Sequence, residues 1–172
     1  RVRAIHLTLH AALKQETALL RGVVPLLRDG KVEVRRAALL ALGLAGHVIA
    51  EDDLLPLLHD TDAEVRRLCE GALRGRGLKD SHIKLARLIS DAEAETRRQV
   101  VCYLDEVEYP TIWLERLTHD PCQAVRAAAI RAAGENPLVD LGERLREVRD
   151  GDPSPTVRQL AGYYLQLRAQ PR

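Results

Sequence analysis

Aspartate and arginine recur through the 172-residue sequence at one fixed spacing. At five regularly spaced places an aspartate is followed six residues later by an arginine, namely Asp29 and Arg35, Asp60 and Arg66, Asp91 and Arg97, Asp120 and Arg126, and Asp152 and Arg158. Carboxylates and guanidinium groups serve in active sites, so a catalytic centre is one interpretation. The arginines recur every 29 to 32 residues, however, and Val2-Arg3 fits one step further back. This regularity favours a structural repeat.

Two further rows of residues keep a constant distance from the repeated arginine. The first row follows it directly and consists of Arg36, Arg67, Arg98, Ala127 and Gln159. The second row lies four residues later and consists of Leu40, Gly71, Cys102, Arg131 and Tyr163. Three aligned arginines would concentrate enough positive charge to hold an acidic peptide or phosphate groups. The alternative is a solvated helix face with ordinary surface arginines, and the sequence leaves both open.

The elements that carry these residues are predicted to be helices. Hydrophobic residues make up 46% of the chain, with no Phe or Met and mostly Leu, Ala and Val, which suits closely packed helices. A leucine-rich segment precedes each repeated aspartate, and a second amphipathic segment follows it. The predicted first helices are 16–28, 51–59, 81–90, 110–119 and 138–149. The predicted second helices are 2–14, 32–45, 63–75, 93–107, 122–134 and 154–168.

Capping residues and apolar columns complete the secondary-structure prediction. Asp120 and Asp152, each followed by Pro, are predicted N-caps, and Asp62 or Ser154 can serve in the same way. The predicted left-handed C-caps are Gly43, Gly77 and Gly134. Periodicity assigns three columns of the second helices to the core. The first is the position just before the repeated arginine, occupied by Val34, Val65, Thr96, Val125 and Val157. The other two lie four and eight residues further on. They are Ala38, Cys69, Val100, Ala129 and Ala161, and Leu42, Leu73, Leu104, Ala133 and Leu165.

Three short motifs carry a resemblance to a known family. They are Pro-Leu-Leu-x-Asp at 25–29 and 56–60, Val-Arg-x-x-Ala at 34–38, and Ala-Leu-Gly at 41–43. The pattern resembles the HEAT repeat family, especially the short bacterial phycobilisome-lyase-type HEAT-like repeat, over essentially the whole chain. The resemblance implies an all-α fold, a right-handed α-solenoid (superhelix) of antiparallel helix pairs. The chain would be one domain, 1–172, with units at 1–14 (partial), 15–46, 47–77, 78–108, 109–136 and 137–172.

The resemblance also implies roles for the repeated residues. In HEAT repeats the turn aspartate and the second-helix arginine are linked within and between neighbouring repeats. The five Asp and Arg pairs are therefore expected to form a structural ladder, which also explains why Arg is used rather than Lys. Second helices line the concave face of such stacks, so both rows are expected there. The binding candidates are Arg36, Arg67, Arg98, Arg131, Leu40, Cys102 and Tyr163.

The expected function is a non-enzymatic scaffold or interaction module in the cytoplasm, binding a protein or peptide along the concave face. The net charge of +1 gives no general attraction to polyanions. A first alternative is nucleic-acid binding, because HEAT-like alkylpurine DNA glycosylases are similar in architecture. The phosphate contacts would then come from Arg36, Arg67, Arg98 and Arg131, and Trp113 would supply one aromatic side chain. A second alternative is bilin attachment, as in the lyases that name the repeat type.

Other chemistry receives less support from the sequence. The cysteines, Cys69, Cys102 and Cys122, show no CxxC spacing and are odd in number, so a reducing compartment without disulfides is expected. His6 and His10 have a metal-compatible spacing but no further ligand at motif distance, and no metal or cofactor is predicted. Trp113 and Cys69 are expected to pack in the core. The apolar start of the chain, Val2 to Leu13, suggests a fragment of a longer protein or self-association through this end.

Overall fold

The computed structural model describes residues 16–43, 45 and 48–169. Ten helices and no strands occur in these ranges, which confirms the all-α prediction. The chain forms two compact units that divide between Ile83 and Lys84.

The helices follow the predicted alternation of first and second helices. In the first unit, α1 spans 16–23 and continues as a 3-10 helix over Val24–Arg28, and α2 is Val32–Leu42. Helix α3 is Glu51–Leu54 and continues as a 3-10 helix over Leu55–His59, and α4 is Ala63–Gly75. Helix α5, Asp80–Ile89, contains the division between the units. In the second unit, α6 is Ala94–Arg98 and continues as a 3-10 helix over Gln99–Glu106, α7 is Pro110–Leu117, α8 is Gln123–Glu135, α9 is Gly142–Gly151 and α10 is Pro155–Ala169.

The first unit packs its second helices side by side. Helix α2 contacts the 3-10 end of α1 and helix α4, and α4 contacts the 3-10 end of α3. Pro25 and Pro56 lie in these 3-10 segments, where the missing proline N–H removes one α-helical hydrogen bond. Its core is mainly leucine, comprising Leu27, Leu39, Leu42, Leu54, Leu58 and Leu73 with Val65 and Cys69.

The second unit has the same plan. Helix α8 contacts α6, α7 and α10, and α10 also contacts α9. One apolar cluster runs through it from Leu85 to Tyr164. The two later core columns are confirmed, since every member is buried except Leu165, which is partly buried against the cluster. In the first column Val65, Val125 and Val157 are buried, whereas Val34 and Thr96 are only partly buried. Small residues in these columns let neighbouring helices approach closely.

The turn between first and second helix is built in the same way five times. One carboxylate oxygen of the repeated aspartate accepts a hydrogen bond from the backbone N–H two residues later, at 2.8 to 2.9 Å. The prediction that Asp120 and Asp152 are N-caps is therefore wrong. Asp152 is the C-cap of α9, and Cys122 is the N-cap of α8. Asp62 does cap α4, because its side chain accepts from the N–H of Val65 at 2.9 Å.

The three predicted glycine C-caps have different conformations. Only Gly77 has a left-handed backbone, with φ of 90°, after the end of α4. Gly43 has φ of −54°, which any residue adopts. Gly134 lies inside α8, where a Cβ would come within 2.2 Å of the Tyr164 ring. Its role is to let that ring pack against the helix.

The predicted first helix at 138–149 begins four residues late, at Gly142. Asp140 accepts the Gly142 N–H through its side chain at 3.0 Å, which gives the preceding segment a turn. No helix in the described ranges is both long enough and apolar enough to cross a lipid bilayer.

Candidate functional site

The repeated arginines join neighbouring repeats within each unit. Nε and Nη2 of Arg97 donate to the two carboxylate oxygens of Asp120 at 2.6 and 2.9 Å, and Nη1 donates to the Asp91 carbonyl at 3.0 Å. The same arrangement links Arg35 to Asp60 and Arg126 to Asp152. The arginine thus reaches its own turn through a backbone carbonyl and the next turn through a carboxylate.

Arg66 and Arg158 bond their own turns in the same way. Nη1 of each donates to the backbone carbonyl of Asp60 or Asp152 at 2.6 Å. The carboxylates of Asp29 and Asp91 accept a backbone N–H in their own turns.

The ladder pairs are buried and stay charged. The side chains of Arg126 and Asp152 are only 9% and 4% exposed. Burial raises the pKa of Asp152, but hydrogen bonds from Arg126 and the Ser154 N–H outweigh it and leave the pKa below its ordinary value. The Arg35 hydrogen bond likewise lowers the pKa of Asp60. Because these guanidinium groups are hydrogen-bonded to the turns of two neighbouring repeats, their geometry fits a role in holding the repeats together.

The first-row arginines also have carboxylate partners. Arg36 donates to both oxygens of Asp62 in the next repeat at 3.0 and 2.6 Å, which lowers the pKa of Asp62 to about 2. Arg67 and Arg98 each form a fork with the glutamate three residues earlier in the same helix, Glu64 and Glu95. A glutamate three residues before Arg67 and before Arg98 was the sequence signal for these two pairs. Each of these three arginines therefore lies beside a carboxylate that offsets its charge.

The second row is the more exposed of the two. Leu40 is 64% exposed on α2, Tyr163 is 56% exposed on α10, and Gly71, Cys102 and Arg131 are exposed too. Ala127 of the first row is half-buried, and Gln159 is exposed. Cys102 is a free thiol on the 3-10 segment that follows α6. In the second unit the second row therefore presents a thiol, a guanidinium and a phenol, one on each of the three second helices.

Other residues from the sequence analysis lie in the core or outside the described ranges. Cys69 is fully buried, and its Sγ donates to the Leu54 carbonyl at 3.2 Å. Trp113 is partly buried and packs against the core of the second unit, as predicted. His6, His10 and the self-association surface from Val2 to Leu13 lie outside the described residues. Within those residues, no group of three His, Cys, Asp or Glu side chains is placed to hold a metal.

One inter-repeat link was not predicted from the sequence. Nε of Arg144 donates to the hydroxyl of buried Thr118 at 2.8 Å, and Nη2 donates to the Thr118 carbonyl at 3.1 Å. A cavity of about 420 Å³ lies beside this link and the Arg126 ladder pair. The corresponding residues of the three preceding repeats are apolar (Leu27, Leu58 and Ile89), so a threonine in this column was the available signal.

Comparison with known proteins agrees with this geometry. A family model described as HEAT repeats matches residues 20–105, half of the chain. The chain belongs to the HEAT repeat family. A search of curated proteins finds no significant match. The matched residues of this HEAT repeat protein include the Asp60 and Arg35 ladder pair and all three first-row arginines. Proteins built from such repeats are typically interaction scaffolds.

Proposed function

We propose that this HEAT repeat protein is a non-enzymatic interaction module that binds a protein partner along its second helices. The observation that carries the proposal is a difference between two sets of residues, one bonded to the chain itself and the other exposed. The chain's own carboxylates hold the three first-row arginines and three of the ladder arginines, Arg35, Arg97 and Arg126, whereas the second row is exposed. Within each unit, exposed and chemically varied residues on packed second helices form a surface suited to recognition. The exposed Cys102 thiol supports a reducing, cytoplasmic location.

Site-specific photocrosslinking tests this function. A photoreactive amino acid is placed at position 40, 102 or 163 of the second row, and at position 146 on helix α9 as the matched control. We expect one defined partner to be captured from the second row but not from position 146. Reproducible turnover of a substrate without any second-row crosslink would contradict the proposal.

The nucleic-acid alternative depends on free positive charge. The arginines that would contact phosphates are mostly paired, since Arg36, Arg67 and Arg98 each hold a carboxylate. Neutralised arginines release few counterions from DNA, so we expect no gel shift with random DNA at physiological salt. A shift that weakens steeply with added salt would favour this alternative. The bilin-lyase alternative predicts an absorbance change on incubation with a bilin, and the interaction module predicts none.

A further inference from the structure

One arginine on the second-helix face of the second unit has no carboxylate partner among the described residues. Arg131 is exposed on α8, and no described carboxylate lies within 4.0 Å of its guanidinium group. Glutamate does not occur three or four residues before it, unlike before Arg67 and Arg98. Its positive charge is therefore available to a ligand.

The nearest acidic residue along α8 is engaged elsewhere. Glu135, one helical turn after Arg131, accepts a hydrogen bond from the Tyr164 hydroxyl at 3.0 Å. Arg followed by Glu at this spacing is also the weaker orientation for a helical ion pair. Both effects leave Arg131 free to bind a carboxylate from outside.

Tyr163 lies on α10, the second helix that packs against α8. Its ring meets the Tyr164 ring edge to face, with centroids 5.1 Å apart and planes inclined by 73°. Tyr164 is only 6% exposed and packs where Gly134 has no Cβ, so it forms a fixed support. Arg131 lies three residues before Gly134 on α8, so it is one helical turn from the point where the Tyr164 ring packs against that helix. An aromatic side chain with few rotatable bonds, held in this way, is already positioned for binding.

We propose that Arg131 and Tyr163 together anchor an acidic segment of the protein partner, with a partner carboxylate on Arg131 and an adjoining apolar side chain on Tyr163. This inference rests on the proposed function and specifies the partner's chemistry. Charge complementarity favours an acidic peptide over a nucleic acid, because one free arginine suits a single carboxylate. Nucleic-acid binding generally needs several phosphate contacts. Tyrosine and arginine are also the residue types that contribute most at protein interfaces.

Peptide selection on the intact chain tests the inference. Random 12-residue peptides displayed on phage are selected against the protein, and the affinities of the enriched peptides are measured by fluorescence anisotropy. We expect enriched peptides to carry Asp or Glu next to an apolar residue. Arg131→Gln and Tyr163→Ala should each weaken binding at least tenfold. Arg146→Gln, which removes an exposed arginine from α9, is the matched control and should change binding less than twofold.

Changing the peptide itself completes the test. Replacing its Asp or Glu by the amide should reproduce the Arg131→Gln loss and add nothing further in that variant. Acid-free peptides that bind the second row, or acidic peptides insensitive to Arg131→Gln, would overturn this inference and leave the interaction module intact. Failure to select any peptide that contacts the second helices would count against both. Displacement of the peptides by random single-stranded DNA would also overturn the acidic-segment proposal.

Discussion

Two adjacent arginines on α6 allow a sharp test of the ladder. Arg97 bonds a carboxylate in the next repeat, and Arg98 bonds Glu95 in its own helix. The side chains of Arg97 and Asp120 are 12% and 5% exposed, whereas those of Arg98 and Glu95 are 49% and 68% exposed. Substituting alanine at each position changes the same residue type on the same element but removes very different contacts.

The expected cost follows from what each substitution leaves behind. Without Arg97, the buried Asp120 carboxylate keeps the hydrogen bond from the Cys122 N–H at 2.8 Å but loses both guanidinium bonds. Deleting one partner of a buried ion pair costs about 3–5 kcal/mol, a large part of the ~5–15 kcal/mol stability of a typical domain. Arg97→Lys keeps the charge but loses the fork, so it should cost about 1–2 kcal/mol. Arg98→Ala should cause no measurable loss, because exposed pairs contribute little.

Urea unfolding followed by the fluorescence of Trp113, the single tryptophan, measures these changes in the second unit. Far-UV circular dichroism on the same samples checks that helix content is lost together with the fluorescence change. Equal shifts of the urea midpoint for Arg97→Ala and Arg98→Ala would refute the structural role of the ladder. Additive effects of Arg97→Ala and Asp120→Ala in the double variant would refute the coupling between the two residues.

Three further predictions concern pH, packing and thiol access. Burial raises the pKa of Asp120, but its hydrogen bonds outweigh this effect and lower the pKa. The stability that Asp120 contributes is therefore fully present above the unfolded pKa of about 4. It is lost as the pH falls through the lower pKa of the folded state. Urea midpoints should be flat from about pH 7 to 5 and fall below about 4, and Asp120→Asn should fall less steeply. Gly134→Ala should destabilise by about 1–3 kcal/mol through overpacking against a tyrosine ring. Gly162→Ala in α10, which meets only ordinary contacts, should stabilise by up to about 1 kcal/mol in the same urea assay. Cys102 should react with a thiol reagent in the native protein, whereas Cys69 should react only in denaturant, and equal native rates would contradict their difference in burial.

Most of the fold was predictable because each repeat is encoded by a local pattern of residues along the sequence. The helical period placed Cys69 and Val100 in the core, and both are fully buried. The errors occurred where the chain turns. Asp120 was predicted to cap the helix that follows, yet it ends the preceding segment and accepts a backbone N–H within the turn. Composition and spacing favour an aspartate in either role, so they do not distinguish the two.

The sequence by itself determined the period, the helix pairs, the apolar columns and the positions of the repeated aspartates and arginines, because these depend on spacing along the chain. Only the tertiary structure decided which carboxylate each arginine holds. Arg36 has a glutamate three residues before it, as Arg67 does, but bonds Asp62 of the next repeat instead. Arg131 is left without such a partner, while the neighbouring Glu135 bonds a tyrosine from α10. The outcome depends on distances between packed helices, which spacing within one helix does not encode.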